Sequence, residues 1–305
     1  IFSFCVTFFL IRLAPGNPIK VLAGTDKPNP QLIEHLTIKY GLDKPLPVQF
    51  ANYIKNLLKG DLGFSYMSNE PVIELIKGKV SPTLLLTLTS SIIALVAGTI
   101  LGVQAARRVG SKFDKILCGI SYVLDSTPSF WLGLIFILIF SSTLKLLPTS
   151  GMRDLRADNE GILHILDVMK HMVLPVGTLS ILQAPIYFRI SRSSVLHTMS
   201  EDFIMTFRAT GMKENRIFNK YVLKNSIIPT ITMFSLSLAF TISGVAIMET
   251  VFAWPGMGRL MMEAIGNRDY PLLMGIYLVI SISICIFMIV ADILYAIMDP
   301  RIRLE

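Results

Sequence analysis

The chain has 305 residues, of which 52% are hydrophobic and 16% charged, with a formal net charge of +7. Ordinary soluble domains carry about one quarter charged residues, and the mean hydropathy of +0.61 departs from them in the same direction. Together with long apolar runs, this excludes a soluble enzyme, a disordered regulator and a disulfide-stapled secreted domain, and leaves a polytopic membrane protein.

A spanning helix needs about 20 apolar residues. Residues 1–10 are apolar, and Arg12 follows. No basic leader marks a signal peptide, so residues 1–14 are expected to be the second half of a first membrane helix. Residues 15–81 are expected to form a loop with short helices. The loop opens on the turn-rich Gly24-Thr-Asp-Lys-Pro-Asn-Pro30. Leu32, Ile33, Leu36 and Ile38 then mark one helix over 30–40, and Val48, Ala51, Ile54, Leu57 and Leu58 a second over 47–58.

Five further spans are expected at 82–106, 116–144, 171–188, 225–248 and 270–291, with Asp125 the one charge inside them. The fold class is therefore all-α with six transmembrane helices. Residues 82–298 form a five-helix core that contains a basic loop at 193–228, and residues 299–305 are a tail. Cys5, Cys118 and Cys285 each lie in an apolar run and read as small buried hydrophobes.

Short loops set orientation through Lys and Arg. Residues 107–115, 189–227 and 299–305 hold four, seven and two, against six in 145–172 and 254–269 together. The basic face is expected to be cytoplasmic, with both termini inside and residues 15–81 outside. The net charge thus belongs to membrane orientation rather than to nucleic acid.

The basic loop is the most informative stretch. Ser200 is expected to cap a helix, with Glu201 and Asp202 at its positive end. Phe203, Ile204 and Phe207 give that helix an apolar face, and Ala209 and Gly211 end it. A second helix is expected over 214–224, mixing Ile217, Phe218, Tyr221 and Val222 with Arg216, Lys220 and Lys224. Pro229 opens the next span. Such helices either rest on anionic lipid or dock into a groove on a partner.

Phe203-x-x-Thr206-x-Arg208-Ala209-x-Gly211, with Pro229 18 residues further on, resembles the coupling loop of ABC-importer permeases. The spacing resembles that of the branch carrying oligopeptides, dipeptides and nickel. Arg12-Leu-Ala-Pro15-Gly16-Asn-Pro18, Tyr40-Gly41-Leu42-Asp43, Gly60-Asp61-Leu62-Gly63-x-Ser65, Leu147-Pro148-Thr-Ser-Gly151, Trp254-Pro255-Gly256-Met-Gly258 and Asp299-Pro300-Arg301 resemble that branch in the same order. Phe207 stands where the family commonly has a small Ala, and Met205 where a basic residue is common.

The resemblance implies a type I importer fold in a bacterial cytoplasmic membrane. It implies a similar second permease subunit, two ATP-binding subunits on the cytoplasmic loops, and an external solute-binding protein. ATP and magnesium would sit on the ATPases; this chain would bind no cofactor and catalyse nothing. The sequence has no G-x-x-x-x-G-K-[ST] phosphate loop. Peptide is the first choice of cargo, and nickel or a metal chelate the runner-up.

A carboxylate inside a span is costly and marks a functional candidate. Asp125 precedes Ser126-Thr127-Pro128, where a helix break would bring it near an interface. Glu249, beside the Trp254 turn, is a pathway or gate candidate, though it and Asp292 read first as structural partners for Arg or backbone N–H groups. Pro255, Gly256 and Gly258 permit a sharp turn beside Trp254, with a short helix over 257–264, and this irregular segment is a candidate outer gate. His35, His164, His171 and His197 are scattered and suggest no metal site. Two other function classes remain: a transporter or channel that uses no ATP, and an intramembrane enzyme. The second lacks H-E-x-x-H and G-x-S-x-G.

Overall fold

A computed structural model describes residues 2–13, 19, 30–39, 41–154, 156 and 160–298. The expected turn at 24–29, the Pro15-Gly16-Asn-Pro18 and Tyr40 positions and the tail at 299–305 lie outside them. Every regular element among the described residues is helical. The chain divides into two compact units, Ile1–Thr83 with Pro255–Ile282 and Leu84–Trp254 with Ser283–Glu305.

The first unit contains α1 (Phe2–Leu13), α2 (Pro30–Lys39), α3 (Leu46–Leu57) and α13 (Met257–Gly266), with the start of α4 (Val72–Arg107) and of α14 (Tyr270–Met298). Both short helices of the 15–81 loop are where the periodicity places them. Phe8 on α1 is fully buried and packs edge-on against Phe50 of α3, with ring centroids 5.0 Å apart. The Arg12 guanidinium lies 4.2 Å from the Phe8 ring centroid and its Nε donates to Gln49 Oε1 at 2.9 Å. Burial pushes the Tyr53 hydroxyl on α3 up to about 12. The Asp269 carboxylate accepts from Ser65 Oγ at 2.5 Å and from the Tyr66 N–H at 3.1 Å, and from the Leu272 N–H at 3.3 Å at the start of α14. One carboxylate therefore caps a long helix and fixes the Gly60–Ser65 motif.

The second unit holds the rest of α4 and α14 with α5 (Lys112–Asp125), α6 (Ser129–Phe136), α7 (Ile162–Met199), α8 (Asp202–Ala209), α9 (Glu214–Ile217), α10 (Leu223–Ser226), α11 (Ile228–Gly244) and α12 (Ala246–Val251). Helix α4 meets α7 through Gly98 and Gly102. A Cβ at Gly98 would stand 2.5 Å from the Ala184 carbonyl, and one at Gly102 would stand 2.0 Å from Ser191 Oγ. Small residues four apart let two backbones approach this closely. Ser180 Oγ donates to Ser90 O and Ser91 Oγ to Gln183 Oε1, both at 3.0 Å, along the same seam.

The expected continuous span at 116–144 is broken. Helices α5 and α6 bend by 104° at Ser126-Thr127-Pro128. Pro128 has no N–H to continue the ladder, and the Ser126 and Thr127 hydroxyls donate back to the Tyr122 and Val123 carbonyls at 3.0 and 2.7 Å. Beyond Phe136 the chain widens into a π-helical segment, Ile137–Thr143. Among the described residues three helices are long and apolar enough to cross a membrane, Val72–Arg107, Ile162–Met199 and Tyr270–Ile293, or four if the bent pair is one span. Six are not reached. Helix α1 has 12 described residues, and the span expected at 225–248 is divided between α11 and α12 at Val245.

Candidate functional site: a two-helix loop and an interior groove

The basic loop is built on a small core. Ile204, Ile217, Phe218 and Val222 pack with Ala106 of α4 and Val195 of α7. Ile204 is the one residue of α8 that is buried. Phe207 is half-buried, and the rest of that helix is exposed, including Asp202, Thr206, Arg208 and Ala209. Phe203 is 37% and Met205 71% exposed, which puts apolar surface outward on a short rigid helix.

Ser200 does not cap this helix. Helix α7 runs on to Met199, Ser200 closes it with its Oγ donating to His197 O at 2.7 Å, and Glu201 holds the N-cap position. Counting uncharged residues stops the span at Arg189, whereas the helix itself continues as an amphipathic one. Gly211 ends α8 with φ +76°. The Met212 N–H donates to Phe207 O at 3.1 Å and the Gly211 N–H to Arg208 O at 3.0 Å. That is a Schellman close, whose left-handed position favours glycine.

Arg208 grips Glu214 with two hydrogen bonds of 2.7 and 3.3 Å, which staples α8 to α9. The guanidinium holds the Glu214 carboxyl below the usual carboxylate range. The expected single helix over 214–224 is divided into α9, a π-helical segment at Phe218–Val222, and α10. Arg107 of α4 donates to Asn219 Oδ1 at 2.6 Å and stacks 3.9 Å from the Phe218 ring centroid. Phe207 turns inward to Tyr221, with centroids 4.3 Å apart. Arg216 and Pro229 are exposed, and Pro229 sits in the first turn of α11.

A groove of about 600 Å³ opens among α5, α7 and α11. Its walls are mostly apolar, with Leu179, Leu182 and Ile186 from α7. Asp125, Gln183, Tyr187 and Ser237 supply the polar groups. Asp125 is the last residue of α5, and its carboxylate pairs with Arg189 at 3.0 Å, both side chains partly exposed. Arg189 also donates to Ser121 Oγ at 3.3 Å. A second pair, missed in the sequence reading, is tighter. Asp114, 3% exposed, takes the Arg192 Nε and Nη2 at 2.6 and 2.9 Å and the Gly110 N–H at 2.9 Å. Asp114, Ser121 and Asp125 share a face of α5, since steps of seven and four are nearly whole turns.

The residues expected at the gate are not all in one unit. Glu249 and Trp254 are fully buried in the second, where the Trp254 N–H donates to Glu249 O at 2.7 Å. Trp254 packs in a cluster with Leu86, Val168, Met172, Met248 and Phe252. Pro255, Gly256 and Gly258 belong to the first unit. Gly256 is extended at the start of α13, and the next N–H, of Met257, donates to Thr83 Oγ1 at 2.8 Å. Asp292 is exposed on α14.

A chain of long apolar helices with a basic two-helix loop and a mostly apolar groove fits a membrane component of a transporter, and sequence comparison gives the family. Residues 75–304 match the binding-protein-dependent transport system inner membrane component, and residues 1–87 match the N-terminal membrane component of such systems. The chain belongs to this family. It is 36% identical over 302 residues to the oligopeptide transport system permease protein AppB of Bacillus subtilis, covering 98% of this chain and 93% of that one. It is also 36% identical to the di/tripeptide transport system permease protein DppB of Pseudomonas aeruginosa over 98% of this chain and 93% of that one. The glutathione transport system permease protein GsiC of Salmonella typhimurium is 36% identical over 98% of this chain and 92% of its own length. The backbone resembles a chain of the MetNI methionine ABC transporter with TM-score 0.59 at 18% identity, over 75% of this chain and 99% of that one. An amino acid ABC transporter gives TM-score 0.55 at 12% identity, over 73% and 94%. These likenesses show the fold, and the all-α permease architecture expected from the sequence is the one found.

Proposed function

We propose that this chain is the peptide-translocating permease subunit of a type I ABC importer in a bacterial inner membrane. The observation that carries the reading is near-complete alignment at 36% identity with peptide permeases, joined to a helix, α8, whose apolar residues Phe203 and Met205 face outward. In this reading the chain crosses the membrane six times with both termini cytoplasmic, and α8 lies on the side where an ATPase would bind. A second, similar permease completes the pathway, two ATP-binding subunits carry ATP and magnesium, and an external binding protein delivers cargo. The names of the relatives favour peptide over nickel or a metal chelate.

The arrangement supports a mechanism of alternating access. Arg208–Glu214 and the core under Ile204 make the two helices of the loop one rigid piece. Movement of an ATPase cleft that holds α8 therefore passes into α7 and α11, which wall the groove. ATP binding opens the spans outward to receive cargo, and hydrolysis returns them inward. Pro255, Gly256 and Gly258 form the outer gate.

Detergent-extracted chain should co-purify with ATP-binding subunits. Gly211→Phe, which forces a bulky residue into a left-handed position, should abolish ATP-driven uptake. Extracts without an ATPase and full uptake by the variant would together remove the reading. At the gate, Gly256→Cys cross-linked to the second permease should block transport, and full transport in that state would exclude a gating role.

A further inference from the structure

We propose that the Asp125 carboxylate receives a cationic group of the cargo, in the first instance the N-terminal ammonium of a peptide, and that Arg189 holds its place when the groove is empty. The inference rests on the peptide-importer reading and adds the contact that selects the cargo. Four observations carry it.

Asp125 is the one formally charged side chain among the described residues lining the groove; Gln183, Tyr187 and Ser237 are neutral. A mostly apolar groove with a single carboxylate suits a ligand with one positive charge beside apolar groups. Gln183 already accepts the Ser91 hydroxyl through Oε1, so its amide nitrogen is its donor end, suited to a peptide carbonyl.

The two ion pairs on α5 differ in kind. Asp114 is buried, gripped twice by Arg192 and once by a backbone N–H. It ties α5 to α7 without help from Asp125. The Asp125–Arg189 contact is single, at 3.0 Å, with side chains 50% and 34% exposed. A single contact between half-exposed side chains has fewer bonds to replace than the buried Asp114 pair, so exchanging its cation costs less. Arg189 has a second partner in Ser121 Oγ and is not stranded when Asp125 changes hands. Finally, Asp125 ends α5 at the 104° bend, so a ligand held there touches the joint between two helices.

The test uses the assembled importer with its binding protein, and zero-length coupling by a water-soluble carbodiimide. This reagent joins a carboxylate to a primary amine in contact with it. A dipeptide with a free amino terminus should couple to Asp125, read by mass spectrometry of the fragment containing it, and its N-acetylated form should not. Arg189→Gln should raise the yield severalfold by removing the competitor. Asp125→Asn should abolish it and lower the maximal import rate about tenfold at saturating loaded binding protein, with Asp125→Glu restoring part of the rate. No coupling at Asp125 in a complex that imports the dipeptide would overturn the inference and leave the importer reading intact. So would equal losses of rate in Arg189→Gln and Asp125→Asn, the result of a purely structural pair. A complex that hydrolyses ATP and imports no peptide would overturn both.

Discussion

Asp114 and Asp125 lie on one face of α5 and each meets an arginine of α7, yet they do different work. Removing one partner of a buried, multiply bonded pair leaves a charge without compensation. Asp114→Asn should therefore destabilise the protein by about 3 kcal/mol, read as a lower thermal unfolding midpoint in detergent. Asp125→Asn should cost clearly less, because its pair is a single contact between half-exposed side chains. Equal shifts would mean that exposure is a poor guide here. The Arg208–Glu214 contact adds a pH dependence. The Glu214 carboxyl is depressed in the folded state, so its contribution is present above the ordinary carboxylate range and is lost as pH falls through the folded value. Amide exchange across residues 208–216 should quicken there in the wild type and change less in Glu214→Gln. Exchange that is independent of pH in this sense, after correction for its intrinsic rate, would remove the staple. Asp125 was visible in the sequence because a lone carboxylate in an apolar run stands out. Its partner Arg189 was not, because a run of uncharged residues was ended there and nothing local says which carboxylate faces it.

Elements were legible where hydrophobic periodicity or turn chemistry is local. The helices expected over 30–40 and 47–58 lie at Pro30–Lys39 and Leu46–Leu57, and the one over 257–264 at Met257–Gly266. The π-helical segments and the exact extent of α7 were not legible, because packing rather than composition decides where an amphipathic helix stops. The Gly98–Gly102 seam stands in the sequence as small residues four apart. It makes a direct prediction. Gly102→Leu drives its side chain into Ser191 and the Phe188 carbonyl and should cost at least about 2 kcal/mol through overpacking, seen as loss of monodisperse protein. Gly119→Ala, where nothing lies within 4 Å of an added Cβ, should behave as wild type. Matching behaviour of the two variants would argue against close contact of α4 and α7. In the loop, Phe207→Ala removes packing against Tyr221 and should lower loop stability, whereas Met205→Glu should leave folding intact and weaken ATPase association. The reverse pattern would mean that α8 presents its other face.

For the molecule as a whole, composition and charge already exclude a soluble protein, and motif order gives the family that the comparisons bear out. The span count is where sequence and helix length part. Apolar runs count six, while among the described residues three unbroken helices are long enough to span, or four if the bent pair is one span, since breaks at Pro128 and Val245 divide runs that composition joins. Reporter fusions should put both ends of the chain and residues 193–228 inside and residues 15–81 outside, and an outside location for 193–228 would overturn the orientation. The central claim is that transport through this chain is powered by partner ATPases. The most direct test is peptide uptake by proteoliposomes holding the complete complex, with binding protein outside and ATP inside. Uptake should require all three and cease with a non-hydrolysable ATP analogue. Uptake that proceeds without ATP, driven by an ion gradient or by this chain alone, would contradict the account.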